Sequence, residues 1–189
     1  MVQTPSNMMP LGTQASNFCL PDTVSGDDLS LQELRGEVAT VIMFICNHCP
    51  FVKHIQEELV LLGQEFPSKG INIIAISSND VESHPDDSPE KMKTLAESLG
   101  YTYPYLYDET QLVAQAYDAT CTPDFFVFDK ELKCVYRGQF DDSRPGNGIP
   151  VTGKDLRNAL DAILSGKAIN PNQIPSIGCN IKWKDWKKY

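Results

Sequence analysis

Two short apolar runs stand out in the hydrophobic pattern of the first half of the chain. Residues 37–46, "EVATVIMFIC", are rich in β-branched side chains, and residues 71–78, "INIIAISS", have the same character. Runs of this length and composition are typical of strands that are buried on both faces of a sheet. A helical segment between them predicts that the two strands are parallel neighbours, joined with right-handed sense.

The helical segments follow from the spacing of apolar residues and from their end signals. Residues 50–66, "PFVKHIQEELVLLGQEF", repeat apolar side chains at close to helical spacing, and "PSKG" ends the helix. "SPEKM" predicts a helix start with Ser88 as the cap and Pro89 at the first helical position. A short helix is predicted around "TQLVAQAYD", and a closing helix over residues 152–166 with Thr152 as its cap.

Two further apolar runs predict a hairpin. "DFFVFD" and "CVYRGQF" are separated by "KELK", and a small strand near "NFCLPD" precedes all of these elements. The resulting order, β-α-β-α-(α)-β-β-α after the N-terminal strand, predicts the α/β class. In this class a mixed central sheet is flanked by helices.

Length and charge narrow the classes of partner. The 189 residues fit one domain, and the net charge of −9 argues against nucleic acid and against anionic membrane as partners. Residues 181–189, "IKWKDWKKY", are basic and aromatic on this acidic body. Because Trp183 and Trp186 are costly to leave in water, we expect residues 171–189 to dock on the domain or on a partner subunit. Residues 1–14 are expected to be flexible.

The interpretation of the six cysteines depends on the cellular compartment in which the protein works. The N-terminus lacks the basic and apolar pattern of a signal peptide, and no window approaches the roughly 18 apolar residues of a membrane span, so we predict a cytoplasmic protein. Structural disulfides are rare there, and a close pair is more often catalytic or metal-binding. Only Cys46 and Cys49 are close in sequence. The other four are interpreted by default as small buried apolar residues: Cys19, Cys121, Cys134 and Cys179.

The close pair lies where the first buried strand ends and the first long helix begins. A helix N-terminus stabilises a thiolate, which is the nucleophile in disulfide exchange. Residues three apart at a helix start lie on one face, near the Cα separation of about 5.5 Å that a disulfide requires. We therefore expect Cys46 to be exposed with a low pKa and Cys49 to be more buried. Pro50 fits the first turn if Asn47 caps the helix.

Two other interpretations of the pair are open. Cys46, His48, Cys49 and His54 offer the donor types that zinc prefers, and a CxxC pair can also hold a soft ion such as Cu(I). Helical spacing, however, turns His54 about 140° away from Cys49, and the sequence has no second CxxC. The pair could also be inert core packing. Redox chemistry is favoured, and a metal-binding module is the non-enzyme alternative.

The chain resembles the thioredoxin-like superfamily, and most closely the peroxiredoxin-like redoxins (alkyl hydroperoxide reductase/thiol-specific antioxidant type) that keep a CxxC pair. The resemblance covers about residues 15–185 and is carried by the stretches "FICNHCPFVKH", "ISSND", "DSPEKM", "YLYDET", "TCTPDFFVFD", "YRGQFDDSRPG", "VTGKDLRNALDA" and "PSIGCNIKWK". It implies a thioredoxin fold, with a redoxin domain over residues 15–170. It also implies a cis bond between Thr122 and Pro123 that faces the cysteines.

The chain departs from both branches of the superfamily. Thioredoxins have an aromatic residue directly before the first cysteine and a buried acid six residues before it, where this chain has Ile45 and Thr40. The peroxiredoxin motif Pro-x-x-x-Thr-x-x-Cys falls on residues 42–49. Only Cys49 matches, because Ile42 and Cys46 replace the proline and the threonine. The proton acceptor for the buried thiol therefore has no candidate in the sequence.

The sequence predicts an antioxidant-type thiol–disulfide oxidoreductase with a redox-active disulfide between Cys46 and Cys49. Cys46 would attack a partner disulfide and Cys49 would resolve the mixed disulfide. His48, when protonated, would stabilise the Cys46 thiolate, and Thr122 and Pro123 would shape the partner groove. The alternative enzyme is a thiol peroxidase with Cys49 as the peroxidatic cysteine. We expect no cofactor and no resident metal. Protein or small-molecule thiols and disulfides are the expected partners, with hydroperoxides under the alternative and a homodimer left open.

Overall fold

A computed structural model describes residues 3–185 of the chain. Its strands are β1 (Gln3–Pro5), β2 (Cys19–Pro21), β3 (Asp28–Ser30), β4 (Ala39–Phe44), β5 (Ile71–Ser77), β6 (Tyr105–Tyr107), β7 (Cys121–Thr122), β8 (Asp124–Asp129), β9 (Cys134–Gly138) and β10 (Ile177–Asn180). Its α-helices are α1 (Leu31–Leu34), α2 (Pro50–Glu65), α3 (Pro89–Leu99), α4 (Leu112–Ala116) and α5 (Lys154–Leu164).

The central sheet has five strands in the order β6-β5-β4-β8-β9. β4 runs parallel to β5 and antiparallel to β8, and β8 and β9 form the expected hairpin. The prediction of a mixed α/β sheet with β4 and β5 as parallel neighbours is therefore confirmed. The apolar runs form these strands because all of their side chains except that of Asn72, which is partly buried, are buried on one face or the other.

Helices cover both faces of this sheet. Along β4, Val41 and Met43 pack into a core with α2, α3 and α5, whereas Ile42 and Phe44 pack into a second core with α1 and α4. This alternation follows from the two-residue period of a strand. The end of β4 and the start of α2 therefore meet at one edge of a rigid, fully covered sheet.

A second, three-stranded sheet was not foreseen. Its order is β1-β10-β7, and all pairs are antiparallel. The N-terminal segment was predicted to be flexible, but Gln3–Pro5 is a strand because it pairs in register with β10 from the opposite end of the chain. Such pairing depends on a contact between the two chain ends, which local pattern does not report.

One helix cap is confirmed, and another differs from its prediction. Ser88 caps α3 and accepts a hydrogen bond from the backbone N–H of Lys91, with Pro89 in the first turn. α5 begins after Gly153, which has a left-handed backbone (φ 64°), rather than after Thr152. Glycine adopts this conformation at no steric cost, which allows a sharp entry into the helix.

The C-terminal segment runs along the body of the protein as far as it is described. After β10, Ile181 is buried, and the backbone of Lys182 bonds to Asn79 and to Asp80. Trp183 is 43% exposed, and Trp186 lies outside the described residues. Docking of the whole segment 171–189 therefore stays a prediction.

Within residues 3–185, no helix has the length and apolar character that crossing a membrane requires.

Candidate active site

The two cysteines flank the turn that joins β4 to α2. Cys49 is the N-cap of α2, and Pro50 occupies the first helical position. The prediction that Asn47 caps the helix is wrong. The reason is local: a residue before proline is held in the extended region, and Cys49 has φ −67° and ψ 122°. The helix therefore starts directly at Pro50, and Cys49 lies closest to its N-terminus.

Both cysteines are buried, at 1% exposure for Cys46 and 0% for Cys49. The expectation of an exposed Cys46 is therefore wrong. Thr122 covers the pair, with its Oγ1 3.4 Å from Cys46 Sγ and its carbonyl oxygen 3.2 Å from Cys49 Sγ, to which the Cys49 thiol donates. Periodicity could not report this cover, because it comes from a segment more than 70 residues later in the chain.

The bond between Thr122 and Pro123 is cis, as the resemblance implied. Asp124, the next residue, is fully buried and pairs with the guanidinium of Arg137, which also lies 3.8 Å from the centre of the Phe126 ring. The pair anchors β8 directly after Pro123. A fixed β8 in turn holds Thr122 against the cysteines.

Asp87 is the main site residue that the sequence did not reveal. Its carboxylate is fully buried and accepts hydrogen bonds from the backbone N–H groups of Asn47 (2.8 Å) and His48 (3.1 Å) and from the side chain of Asn79 (2.8 Å). His48 Nδ1 lies 2.6 Å from the same carboxylate. Asp87 therefore fixes the turn between the cysteines. It lies in the acidic loop after β5, and only its charge could have marked it.

His48 lies between the carboxylate and the first cysteine. Its Nδ1 is 3.9 Å from Cys46 Sγ, and its ring stacks on that of His84 at 5.0 Å between centroids. The same nitrogen faces both the carboxylate and the thiol. The 2.6 Å contact with a carboxylate requires Nδ1 to carry the hydrogen, so Asp87 holds the His48 ring with this N–H beside the Cys46 sulfur.

The predicted set of metal donors is not assembled. His54 points away from the pair and bonds through Nε2 to Ser143 Oγ at 2.7 Å. In the described part of the chain, the set of ligand atoms gathered within 4.8 Å is that of Cys46, His48 and Asp87. Two of these three groups already pair with each other. The geometry thus gives no support to the four-donor zinc hypothesis.

The electrostatics of the pair are asymmetric. A hydrogen bond from the Cys46 thiol lowers the pKa of Cys49 to about 4, and burial opposes it. Further hydrogen bonds from the side chains of Cys179 and Thr122 and from the backbone N–H of Val52 act in the same direction. The contact with Cys49 raises the pKa of Cys46 well above its usual range, followed by burial and by the charge of Asp87. The hydrogen bond between the two sulfurs therefore favours the thiolate at Cys49 and the thiol at Cys46.

The remaining cysteines divide into three kinds. Cys121 and Cys134 are buried, as predicted, and burial raises the pKa of both. Cys19 is exposed, so its prediction as a buried residue is wrong; it lies on β2, which pairs only with β3 at the surface. Cys179 is also buried, and its side chain hydrogen bonds to Cys49.

Two clefts flank the turn between the cysteines. On one side, a narrow groove of about 20 Å³ is lined mainly by aromatic and apolar side chains; we call it the apolar groove (Phe51, Ile55, Pro123, Phe125, Phe140 and Ile177). On the other side, a more polar cleft is lined by Asn47, His48, Lys53 and Lys91 among others. The pair thus lies between an apolar and a polar approach.

Comparison with protein families gives a match over residues 11–137 to the AhpC/TSA family. A protein from Mycobacterium tuberculosis whose name assigns it to the peroxiredoxins is 30% identical over 138 residues, which are 72% of this chain and 80% of the relative. The thiol-disulfide oxidoreductase ResA of Bacillus subtilis is 27% identical over 124 residues, covering 66% of this chain and 64% of ResA.

Solved structures agree with the fold. An uncharacterized conserved protein from Geobacillus kaustophilus superimposes with a TM-score of 0.96 at 60% identity, covering 98% of both chains. The thioredoxin domain of a thiol-disulfide oxidoreductase from Bacteroides vulgatus gives a TM-score of 0.64 at 19% identity, covering 83% of this chain and 99% of that domain. The expected thioredoxin fold is thereby confirmed.

Proposed function

Because the chain belongs to the AhpC/TSA family, we propose that it is a thiol–disulfide oxidoreductase in which Cys46 and Cys49 alternate between dithiol and disulfide. One observation carries the proposal. Two sulfurs in hydrogen-bond contact lie at the N-terminus of α2, and that contact lowers the pKa of Cys49 to about 4. A thiolate is then available at neutral pH beside a thiol that can close the disulfide.

The proposed reaction begins at Cys49. Its thiolate attacks one sulfur of the partner disulfide, forming a mixed disulfide and releasing the other partner sulfur as a thiolate. The Cys46 thiol then gives its proton to the released partner thiolate and attacks Cys49 Sγ. The Cys46–Cys49 bond forms, the second partner sulfur leaves, and the partner has gained two electrons. The sequence assigned the first attack to Cys46, and this order reverses that assignment.

The apolar groove is the proposed approach for the partner. Pro123, which directly follows Thr122, and Phe51, which lies two residues after Cys49, both line this groove. Aromatic lining favours a disulfide flanked by apolar groups, since burial of apolar surface drives such contacts. Thr122 and Pro123 are thus proposed as supporting residues that shape the groove.

The order of attack is tested by trapping with an aromatic disulfide as the probe. Cys46→Ser/Cys179→Ser should retain a stable mixed disulfide on Cys49, because both thiols that contact its sulfur are gone, whereas Cys49→Ser should accumulate little adduct. Cys134→Ser, which changes a buried thiol outside the site, should behave like the unmodified protein. Mass spectrometry of the intact proteins gives the answer. If Cys49→Ser accumulates an adduct on Cys46 instead, Cys46 makes the first attack. If neither variant forms an adduct, the proposed function is contradicted.

One observation favours a second candidate, a thiol peroxidase. Cys49 occupies the peroxidatic position of the family and has the lowered pKa. Its thiolate would take one oxygen of a hydroperoxide, releasing an alcohol, and Cys46 would displace water from the sulfenic acid to form the disulfide. Buried Ile42 stands where the family motif has proline, so we expect slow turnover. Rapid peroxide consumption by the reduced protein, lost in Cys49→Ser, would promote this candidate.

The biological setting is proposed from the sequence. We propose that thiols and disulfides of proteins or small molecules are the partners, that no cofactor takes part, and that the protein works in the cytoplasm. A reducing compartment would keep the pair in the dithiol form that starts the cycle. We further propose that the segment 171–189 docks on the domain or on a second copy, which sedimentation of a chain truncated after Ser176 would test.

A further inference from the structure

We propose that Cys179 is a third redox thiol of this site and that it exchanges with Cys46 as the disulfide partner of Cys49. This inference rests on the proposed function of the Cys46–Cys49 pair. Cys179 lies 130 residues from Cys49 in the sequence, outside the CxxC motif and beyond the residues that match the AhpC/TSA family, 11–137.

Cys179 is held rigidly beside the pair. It lies on β10, the middle strand of the three-stranded sheet, and its backbone is in register with Gln3 on one side and Thr122 on the other. Its thiol hydrogen bonds to Cys49. Thr122 is therefore the common neighbour of all three cysteines, since it also contacts Cys46 Sγ and Cys49 Sγ.

Cys49 is the central sulfur of the three. Cys46 and Cys179 each hydrogen bond to Cys49. Among the residues that the structure describes, the three sulfurs do not form a set within 4.8 Å of one another, so they do not surround a common point. Exchange at a disulfide needs one sulfur to attack as another leaves. The central place of Cys49 makes its sulfur the one that is attacked.

The exchange balances without an outside reagent. Starting from the Cys46–Cys49 disulfide, the Cys179 thiolate attacks Cys49 Sγ. The Cys179–Cys49 bond forms, the Cys49–Cys46 bond breaks, and its electron pair leaves with Cys46. Cys46 takes up a proton equivalent to the one that Cys179 lost, beside the Thr122 hydroxyl at 3.4 Å and His48 Nδ1 at 3.9 Å. The total oxidation state of the protein does not change.

Charge controls when this exchange can occur. Burial and then the contact with Cys49 raise the pKa of Cys179 to about 12, so Cys179 is a thiol at neutral pH while Cys49 is a thiolate. Once Cys49 is in a disulfide, it carries no charge, and this contribution to the raised pKa disappears. Burial remains. The exchange should therefore be slow at neutral pH and should accelerate as the pH rises, because attack requires the thiolate.

The exchange would give the oxidised protein two forms. In one form, Cys46 and Cys49 are joined and Cys179 is a thiol. In the other, Cys49 is held by Cys179, while Cys46 is a free thiol beside His48 and Thr122. The second form keeps Cys49 from further oxidation and leaves Cys46 able to react.

The test is disulfide mapping in Cys46→Ser, with diamide as the oxidant that takes up the two electrons and two protons. We expect Cys46→Ser to form an intramolecular Cys49–Cys179 disulfide, found by mass spectrometry of peptides from a digest without reductant. Cys46→Ser/Cys179→Ser should lose this bond, with at least about a tenfold fall in the rate of thiol loss. Cys46→Ser/Cys134→Ser is the matched control and should form the bond normally.

The outcomes separate this inference from the proposed function. If Cys46→Ser keeps both thiols, or joins Cys49 to Cys121, while the unmodified protein forms Cys46–Cys49, Cys179 is not a redox thiol and the proposed function stands. If the unmodified protein forms no Cys46–Cys49 disulfide under diamide, the proposed function itself fails. Circular dichroism of each variant shows that the fold is intact. In the unmodified oxidised protein, a Cys49–Cys179 fraction that grows with pH would support the exchange directly.

Discussion

Cys49 and Cys134 are both buried thiols on the same central scaffold, yet their chemistry is opposite. The pKa of Cys134 is raised to about 11 by burial, whereas hydrogen bonds, the first from Cys46, lower that of Cys49 to about 4 against the same effect. Both thiols have a carbonyl acceptor, that of Tyr136 at 3.6 Å for Cys134 and that of Thr122 at 3.2 Å for Cys49, so this contact does not distinguish them.

The difference shows that burial alone does not decide the reactivity of a cysteine. Burial penalises the charged form of both residues. Cys49 overcomes this penalty because several donors converge on its sulfur, including a backbone N–H in the first turn of α2. For Cys134, a backbone hydrogen bond from Tyr136 also lowers the pKa, but it does not offset burial. Donor geometry therefore separates the reactive cysteine from the inert one.

The largest expected effect comes from removing each thiol in turn. Cys49→Ser should reduce turnover of an aromatic disulfide by at least about a thousandfold, since a nucleophile is lost. Cys134→Ser should leave turnover unchanged, because a serine hydroxyl can donate to the same Tyr136 carbonyl. Steady-state assays of the two variants measure the contrast. If both variants lost turnover equally, the loss would reflect a lower stability of the fold and not the removal of a nucleophile.

The next effect concerns the carboxylate that fixes the reactive turn. Asp87→Asn should lower the free energy of unfolding by about 3 kcal/mol, because it replaces the buried carboxylate that accepts several hydrogen bonds. His48→Gln leaves the carboxylate with its backbone and Asn79 donors, so this variant should lose less free energy of unfolding than Asp87→Asn. Urea unfolding of both variants provides the measurement. A greater loss in His48→Gln would show that Asp87 is not the anchor of the turn.

The smallest effect is a pH dependence specific to the reactive cysteine. Alkylation of Cys49 in the reduced protein should be nearly constant at neutral pH and should fall about tenfold per pH unit below a pKa of about 4. The folded pKa is lower than that of a free thiol, so Cys49 ionisation stabilises the reduced fold fully only above the unfolded pKa. This stabilisation is lost as the pH falls toward about 4. If the alkylation rate rose only above the usual thiol pKa, Cys49 would not have a lowered pKa and would resemble Cys134.

Local pattern was sufficient for much of the scaffold. The apolar runs at β4 and β5, the helical spacing of α2, the Ser88–Pro89 start of α3 and the β8–β9 hairpin are all recorded in neighbouring residues. Each of these predictions uses only the spacing of side chains along a helix or along a strand. The position of the cysteine pair at the end of a strand and the start of a helix follows from the same pattern.

Contacts between distant segments decided the rest. β6 was missed because "YTYPYLYDE" carries no clear period; it is a strand only because β5 offers it an edge. β1 and β10 are strands for the same reason. Three residues that contact the turn at Cys46–Cys49 come from segments 39 to 133 residues away from it. These are Asp87, which anchors the turn, Thr122, which covers Cys46, and Cys179.

The sequence by itself determined where a reactive pair could form, because strand, helix start and cysteine spacing are local properties. Only the tertiary structure decided which cysteine carries the charge. The pKa of a buried thiol depends on the donors, the carboxylate and the apolar cover that surround it in space. Cys179, Thr122 and Asp87 supply these surroundings from three separate parts of the chain, and hydrophobic periodicity says nothing about which of them will meet.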